Sequence, residues 1–116
     1  MAKAQTSEPA LSDDLDRMME KAREASELLK AMSHETRLVL LCILSEGERS
    51  VSELEEILGE RQAAVSQQLA RLRLERLVKT RRDGANIYYS LGSAEARAVL
   101  EALYGVFCTP APRKKK

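Results

Sequence analysis

Residues 62–74 read QAAVSQQLARLRL, and the spacing of the apolar residues in this stretch decides the fold. On a helix, Val65, Leu69 and Leu72 fall at i, i+4 and i+7, the pattern of a face that docks into a core. The opposite face then carries Ala63, Ser66, Gln67, Ala70 and Arg71. Alanine keeps that face thin, while Ser, Gln and Arg can donate and accept hydrogen bonds at base edges, so the segment suits entry into a DNA groove.

The flanks extend this reading. Upstream, Ser50-Val51-Ser52-Glu53 has the S-x-x-E form of a capping box and opens a short helix with Leu54, Ile57 and Leu58 inward, which Gly59 ends. Helix, tight turn and second helix make a helix-turn-helix, in which the second helix reads the major groove. Downstream, LVKTRR and ANIYYSL flank Asp83-Gly84, a strong hairpin signal. With those two residues as the turn, Thr80 pairs with Ile87 and Val78 with Tyr89, and the tip carries Arg81, Arg82 and Asn86. The expected fold class is mainly α with a β-hairpin wing, a winged helix-turn-helix.

Ser33-His34-Glu35-Thr36-Arg37-Leu38, Val65-Ser66-Gln67-Gln68-Leu69, and Arg81-Arg82-Asp83-Gly84 leading to Tyr88-Tyr89 resemble the ArsR family of small dimeric bacterial repressors. The match runs from about Leu28 to Phe107. The resemblance implies a homodimer in which the first and last helices pair across a two-fold axis. Two recognition helices would then enter successive major grooves about 34 Å apart on a pseudo-palindromic double-stranded operator. Gln62, Ala63, Ser66 and Gln67 face the bases in this reading, with Arg71, Arg73, Arg81 and Arg82 on phosphates or the minor groove.

Charge supports a nucleic-acid partner once it is resolved by segment. The 116 residues carry a net charge of only +1. Between Arg61 and Arg82, however, Arg61, Arg71, Arg73, Arg76, Lys79, Arg81 and Arg82 stand against Glu75 alone, a net +6. Between Glu46 and Glu60, six glutamates stand against Arg49, a net −5. Such sorting collects positive charge for phosphates. A chain of this length makes one domain, expected over residues 12–108, with disordered tails over 1–11 and 109–116. No apolar run is long enough to span a membrane and the N-terminus lacks a signal-peptide core, which points to a cytoplasmic protein.

Along the remaining chain, Ser12 is the expected N-cap of a first helix whose Leu15, Met18, Met19, Ala22, Leu29 and Met32 form a core stripe, shared in the resemblance with a partner subunit. Ser33 is the expected cap of the next helix, which is apolar nearly all round and so expected to be buried. Ser93 starts the last helix, with Ala96, Val99, Leu100, Leu103 and Phe107 in a stripe that needs a partner. Three positions depart from the wider family: Glu60, Arg61, and Arg76 at a position where Gly often closes the recognition helix in αL.

Catalysis finds no support, because His34 is the single histidine and no triad, dyad or Gly-rich phosphate loop accompanies it. No cofactor is implied. The family's thiolate metal site lies on the first helix of the helix-turn-helix, where Leu54-Glu55-Glu56 stand here, and its other site uses histidines on the last helix, which has none between Ser93 and Cys108. Two Cys and one His are a poor donor set, so no metal ligands are assigned.

Cys42 and Cys108 remain, 66 residues apart. A cysteine in a buried helix usually serves as a small apolar residue, whereas paired cytosolic cysteines are more often redox-active or metal-binding than structural. One Cys on the second helix and one at the end of the last helix resembles the BigR and SqrR group, ArsR-like repressors that sense persulfides. That resemblance implies that Cys42 and Cys108 are the redox-sensing pair, joined by a disulfide or a chain of sulfur atoms when reactive sulfur species act as inducer, with release of DNA and expression of sulfide-oxidation genes. A metal- or metalloid-sensing repressor of the same family, a repressor without inducer, and a thiol redox protein without DNA function are the alternatives.

Overall fold

The computed structural model describes residues 8–59 and 62–108, with the backbone alone for residues 8–12, 62 and 63. The chain divides into two units, residues 1–30 and 31–116. Helix α1 spans Glu8–Met32, α2 Glu35–Ser45, α3 Val51–Leu58, α4 Gln62–Leu74 and α5 Ala94–Leu103. Strands β1 (Arg49–Ser50), β2 (Val78–Asp83) and β3 (Asn86–Leu91) form an antiparallel sheet in the order β1-β3-β2. The winged helix-turn-helix is thus present, with a two-residue strand that the sequence reading did not include.

In the first unit, α1 begins before the expected cap, so Ser12 lies inside the helix and residues 8–11 are helical instead of disordered. Pro9 in the opening turn explains this, because the first N–H groups of a helix have no intrahelical partner to lose. Residues 1–7 and the tail 109–116 lie outside the described residues. Of the stripe expected in a core, Leu15, Met18, Met19 and Leu29 are each more than half exposed in the single chain, whereas Met32 is buried as expected.

The second unit has a compact leucine core. Leu40, Leu41, Leu54, Val65 and Leu72 are fully buried, and Leu44 and Leu69 nearly so. Leu54 points inward as expected, but Ile57 is 53% exposed. Helix α3 opens on the expected capping box: the Ser50 hydroxyl accepts from the Glu53 N–H at 3.2 Å, and the Ser50 N–H donates to the Glu53 carboxylate at 2.8 Å. Gly59 closes it in the left-handed conformation at φ 65°.

Helix α2 is capped by His34 in place of Ser33, with Nδ1 accepting from the Thr36 N–H at 3.1 Å. Helix α4 ends in a Schellman motif: the Leu77 N–H reaches the Leu72 carbonyl at 2.9 Å and the Arg76 N–H reaches that of Arg73 at 3.0 Å. Arg76 sits at φ 64°, so an arginine occupies the position where glycine is favoured, at a cost of roughly 1–2 kcal/mol. The expectation for this residue from its departure at the helix end is therefore met.

The hairpin register differs from the expected one by two residues. Asp83 pairs with Asn86, Thr80 with Tyr89, Arg82 with Ile87 and Val78 with Leu91, so the turn is Gly84-Ala85 and not Asp83-Gly84. Gly84 lies at φ 65° and Ala85 is not among the positive-φ residues, the φ pattern of a II′ turn, which puts glycine first. A shift of two keeps every side chain on its expected face. Val78 and Leu91 are accordingly buried, at 4% and 8% exposure.

Candidate DNA-binding surface and dithiol site

On α4, Ser66, Gln67, Ala70, Arg71 and Arg73 are exposed, opposite the buried Val65, Leu69 and Leu72. Gln62 and Ala63 belong to the first turn of the helix, and their side chains, like all of Arg61 and Glu60, lie outside the described residues. Gln68, between the two faces, is half-buried and accepts at 2.9 Å from an Nη of Arg37. The same guanidinium donates from Nε to the Ala31 carbonyl at 2.6 Å. Burial first, then the nearby Arg71, pushes the Arg37 pKa down, while Glu75 pulls it back up. Sequence reading missed this bond, since 31 residues separate its partners.

On the wing, Arg81 and Arg82 are exposed in β2. Arg81 is held by a two-pronged pair with Glu48, at 2.9 and 2.8 Å, and lies over the ring of its cross-strand neighbour Tyr88, 4.7 Å from the centroid. Its hydrogen bond depresses the Glu48 carboxyl and raises the Arg81 pKa. Arg71 pairs with Glu75 at 3.3 Å. These two arginines therefore already have carboxylate partners within the chain.

The two thiols come together in the second unit. Cys42, from α2, and Cys108, from the π-helical turn Tyr104–Cys108 that follows α5, are free and share the walls of two cavities. One, of about 200 Å³, is apolar and is completed by Leu38, Leu100, Leu103, Tyr104 and Phe107. The other, of about 360 Å³, adds Ser45, Glu46, Arg97 and Glu101. Cys42 was expected to be buried, and it is exposed. The helix is less completely wrapped than its composition suggests, with Val39 also 41% exposed. Partial burial, then the charges of Cys108 and Glu46, push the Cys42 thiol pKa up. Among the described residues no group of three or more His, Cys, Asp or Glu side chains is arranged to hold a metal ion, and no helix is long and apolar enough to cross a membrane.

Residues 34–80 match the model of the bacterial regulatory protein arsR family. The biofilm growth-associated repressor of Xylella fastidiosa is 48% identical over 92 residues, which are 79% of this chain and 81% of that protein. This chain belongs to the ArsR family. The crystal structure of BigR from Xylella fastidiosa, a transcriptional repressor, superposes with a TM-score of 0.76 at 45% identity, covering 82% of this chain and 97% of that one. Reduced HlyU from Vibrio cholerae superposes with a TM-score of 0.77 at 42% identity, covering 80% and 98%. The HlyU of that organism is named a transcriptional activator and is 42% identical over 95 residues, 82% of this chain and 88% of its own length. The winged helix-turn-helix of this family and its BigR-like group account for the fold described above.

Proposed function

We propose that this chain is a cytoplasmic, homodimeric transcriptional repressor that binds operator DNA and lets go when reactive sulfur species link Cys42 to Cys108. The observation that carries the proposal is the pair of free thiols on the walls of shared cavities, contributed by α2 and by the turn after α5. A second copy of the chain is the natural cover for the exposed apolar residues of α1 and, separately, for Tyr104, Val106 and Phe107. The likeness to a named repressor and to a named activator supports DNA binding in either case, and the closer identity to the repressor favours repression.

The chemistry balances with a persulfide as oxidant. One protein thiolate takes the outer sulfur of a persulfide and releases the parent thiol; the second protein thiol attacks the sulfur-bearing cysteine, expels hydrogen sulfide and closes a disulfide. Each further persulfide consumed leaves one more sulfur in the bridge. Direct closure needs Cα atoms within about 7 Å, and added sulfur relaxes that limit. Bridging ties the end of the last helix to α2, and α2 reaches the recognition helix through Arg37 and Gln68. A 100-fold loss of affinity needs only about 2.7 kcal/mol of coupling. Control of sulfide-oxidation genes follows from the inducer.

The test is mass spectrometry of the reduced protein after exposure to persulfide or to hydrogen peroxide, with operator affinity measured on the same samples. The expected result is a Cys42–Cys108 link carrying added sulfur mass and weakened DNA binding after persulfide, with Cys42→Ser and Cys108→Ser still binding DNA after the same exposure. Thiols that do not react, or that react without changing affinity, would overturn the sensing part and leave the DNA-binding part standing.

A further inference from the structure

The basic residues that crowd α4 and the wing are unequal. Arg71 has Glu75, and Arg81 has Glu48 and, at 3.8 Å, Asp83. Arg73, Arg76, Lys79 and Arg82 have no acidic partner among the described residues. Two of these, Arg73 and Arg76, line one open cleft of about 450 Å³ together with Ala70, Leu74 and Tyr89. Tyr89 comes from β3, so the cleft is formed jointly by the end of the recognition helix and the sheet of the wing.

Arg76 stands there against its own backbone preference. It holds the left-handed position of the Schellman motif, where glycine would fit without steric cost, and it is the one non-glycine residue with positive φ among the described residues. A side chain kept at such a position calls for a use that glycine could not serve. Uncompensated guanidinium groups in a cleft with a tyrosine match a phosphodiester: the fork of arginine binds phosphate oxygens in pairs, and a phenol hydroxyl can donate a further bond.

We propose that the cleft between α4 and β3 is a phosphate seat for the operator backbone, with Arg73 and Arg76 as its cations. The proposal rests on the DNA-binding reading above. It moves part of the phosphate contact away from Arg71 and Arg81, whose charges are already engaged, onto Arg76, which sequence reading counted in the basic segment and as an irregular helix end without naming it a DNA contact. The seat acts on affinity and leaves base preference untouched, because phosphates are the same at every sequence.

The experiment measures affinity for a duplex operator as a function of salt for wild type, Arg76→Gly, Arg76→Lys and Arg73→Gln, with thermal unfolding of each. Every copy of the seat lost should reduce the slope of log K against log salt by about 0.9 and the affinity at 0.1 M salt by roughly eight-fold. Arg76→Gly and Arg73→Gln should show this, Arg76→Lys should keep the slope, and Arg76→Gly should unfold at the same or a higher temperature because its backbone strain is relieved. Arg76→Gly with the wild-type slope would overturn the seat while leaving the DNA-binding reading intact. A wild type without salt-dependent duplex binding would overturn both. Inorganic phosphate that binds wild type and not Arg76→Gly, while the two proteins bind duplex with the same salt slope, would reassign the cleft to a small free anion and overturn the proposal.

Discussion

Replacing Arg37 with methionine tests the connection between the thiol-bearing helix and the recognition helix. Among its contacts, the guanidinium donates hydrogen bonds to the Ala31 carbonyl at 2.6 Å and to the Gln68 side chain at 2.9 Å. Bonds from charged donors contribute about 1.5–3 kcal/mol each. The lower end applies, because burial already works against the charged form, so the pair is worth about 3 kcal/mol. Methionine restores about 1 kcal/mol of apolar burial, leaving a net loss of about 2 kcal/mol. For a domain of this size that corresponds to a fall in Tm of about 8 °C.

Urea unfolding at one fixed protein concentration measures the loss, since assembly would otherwise shift the midpoint. A double-mutant cycle with Gln68→Ala then isolates the link between the helices, with a coupling energy of about 1–1.5 kcal/mol expected. A loss below about 0.5 kcal/mol, or strict additivity of the two substitutions, would refute the reasoning. Additivity would also remove the route by which a bridge at Cys42 is read out at α4.

Four further outcomes follow from contacts already described. Ser50→Ala removes the hydroxyl half of the capping box and should cost about 1 kcal/mol in urea unfolding, whereas Ser50→Asp should restore most of it. Glu46→Gln removes one of the causes that raise the Cys42 pKa and should speed iodoacetamide labelling of Cys42 at mildly alkaline pH, an unchanged rate counting against that contact. Because the folded state holds the Cys42 proton to higher pH than the unfolded chain, this contribution to stability is complete below the ordinary value of 9.0 and is lost as pH rises through the folded value; Cys42→Ser should remove that part of the alkaline fall in the urea midpoint. Glu48→Gln removes the two-pronged carboxylate partner of Arg81, leaving Asp83 at 3.8 Å, and should steepen the salt dependence of operator binding by about one phosphate per wing engaged, while an unaltered slope would leave Arg81 outside the DNA contact.

Local chemistry was the legible part of this chain. The capping box at Ser50, the glycine stop at Gly59, the buried face of α4 and the cap at Ser93 each depend on residues a few positions apart, and each stands as the spacing implied. Choices between near-equivalent neighbours were less legible. His34 can accept the capping bond as well as Ser33, and Gly84 can begin the hairpin loop as well as end it. The Arg37 to Gln68 bond, the Arg81 to Glu48 pair and the cleft at Arg76 join elements distant in sequence, and no periodicity reports them. Apolar spacing identified α1 as amphipathic without saying whose surface would cover Met18 and Met19.

Ser50 belongs to two elements at once. Its Cα pairs with Tyr88 in β3, and its N–H and hydroxyl together fasten the first turn of α3 through Glu53. Transient fraying at the base of the wing therefore withdraws one side of the support that starts the helix-turn-helix. In native-state hydrogen exchange, the amides of β1, the facing part of β3 and the opening turn of α3 should consequently behave as a single cooperative opening unit, with one shared free energy and one shared response to denaturant.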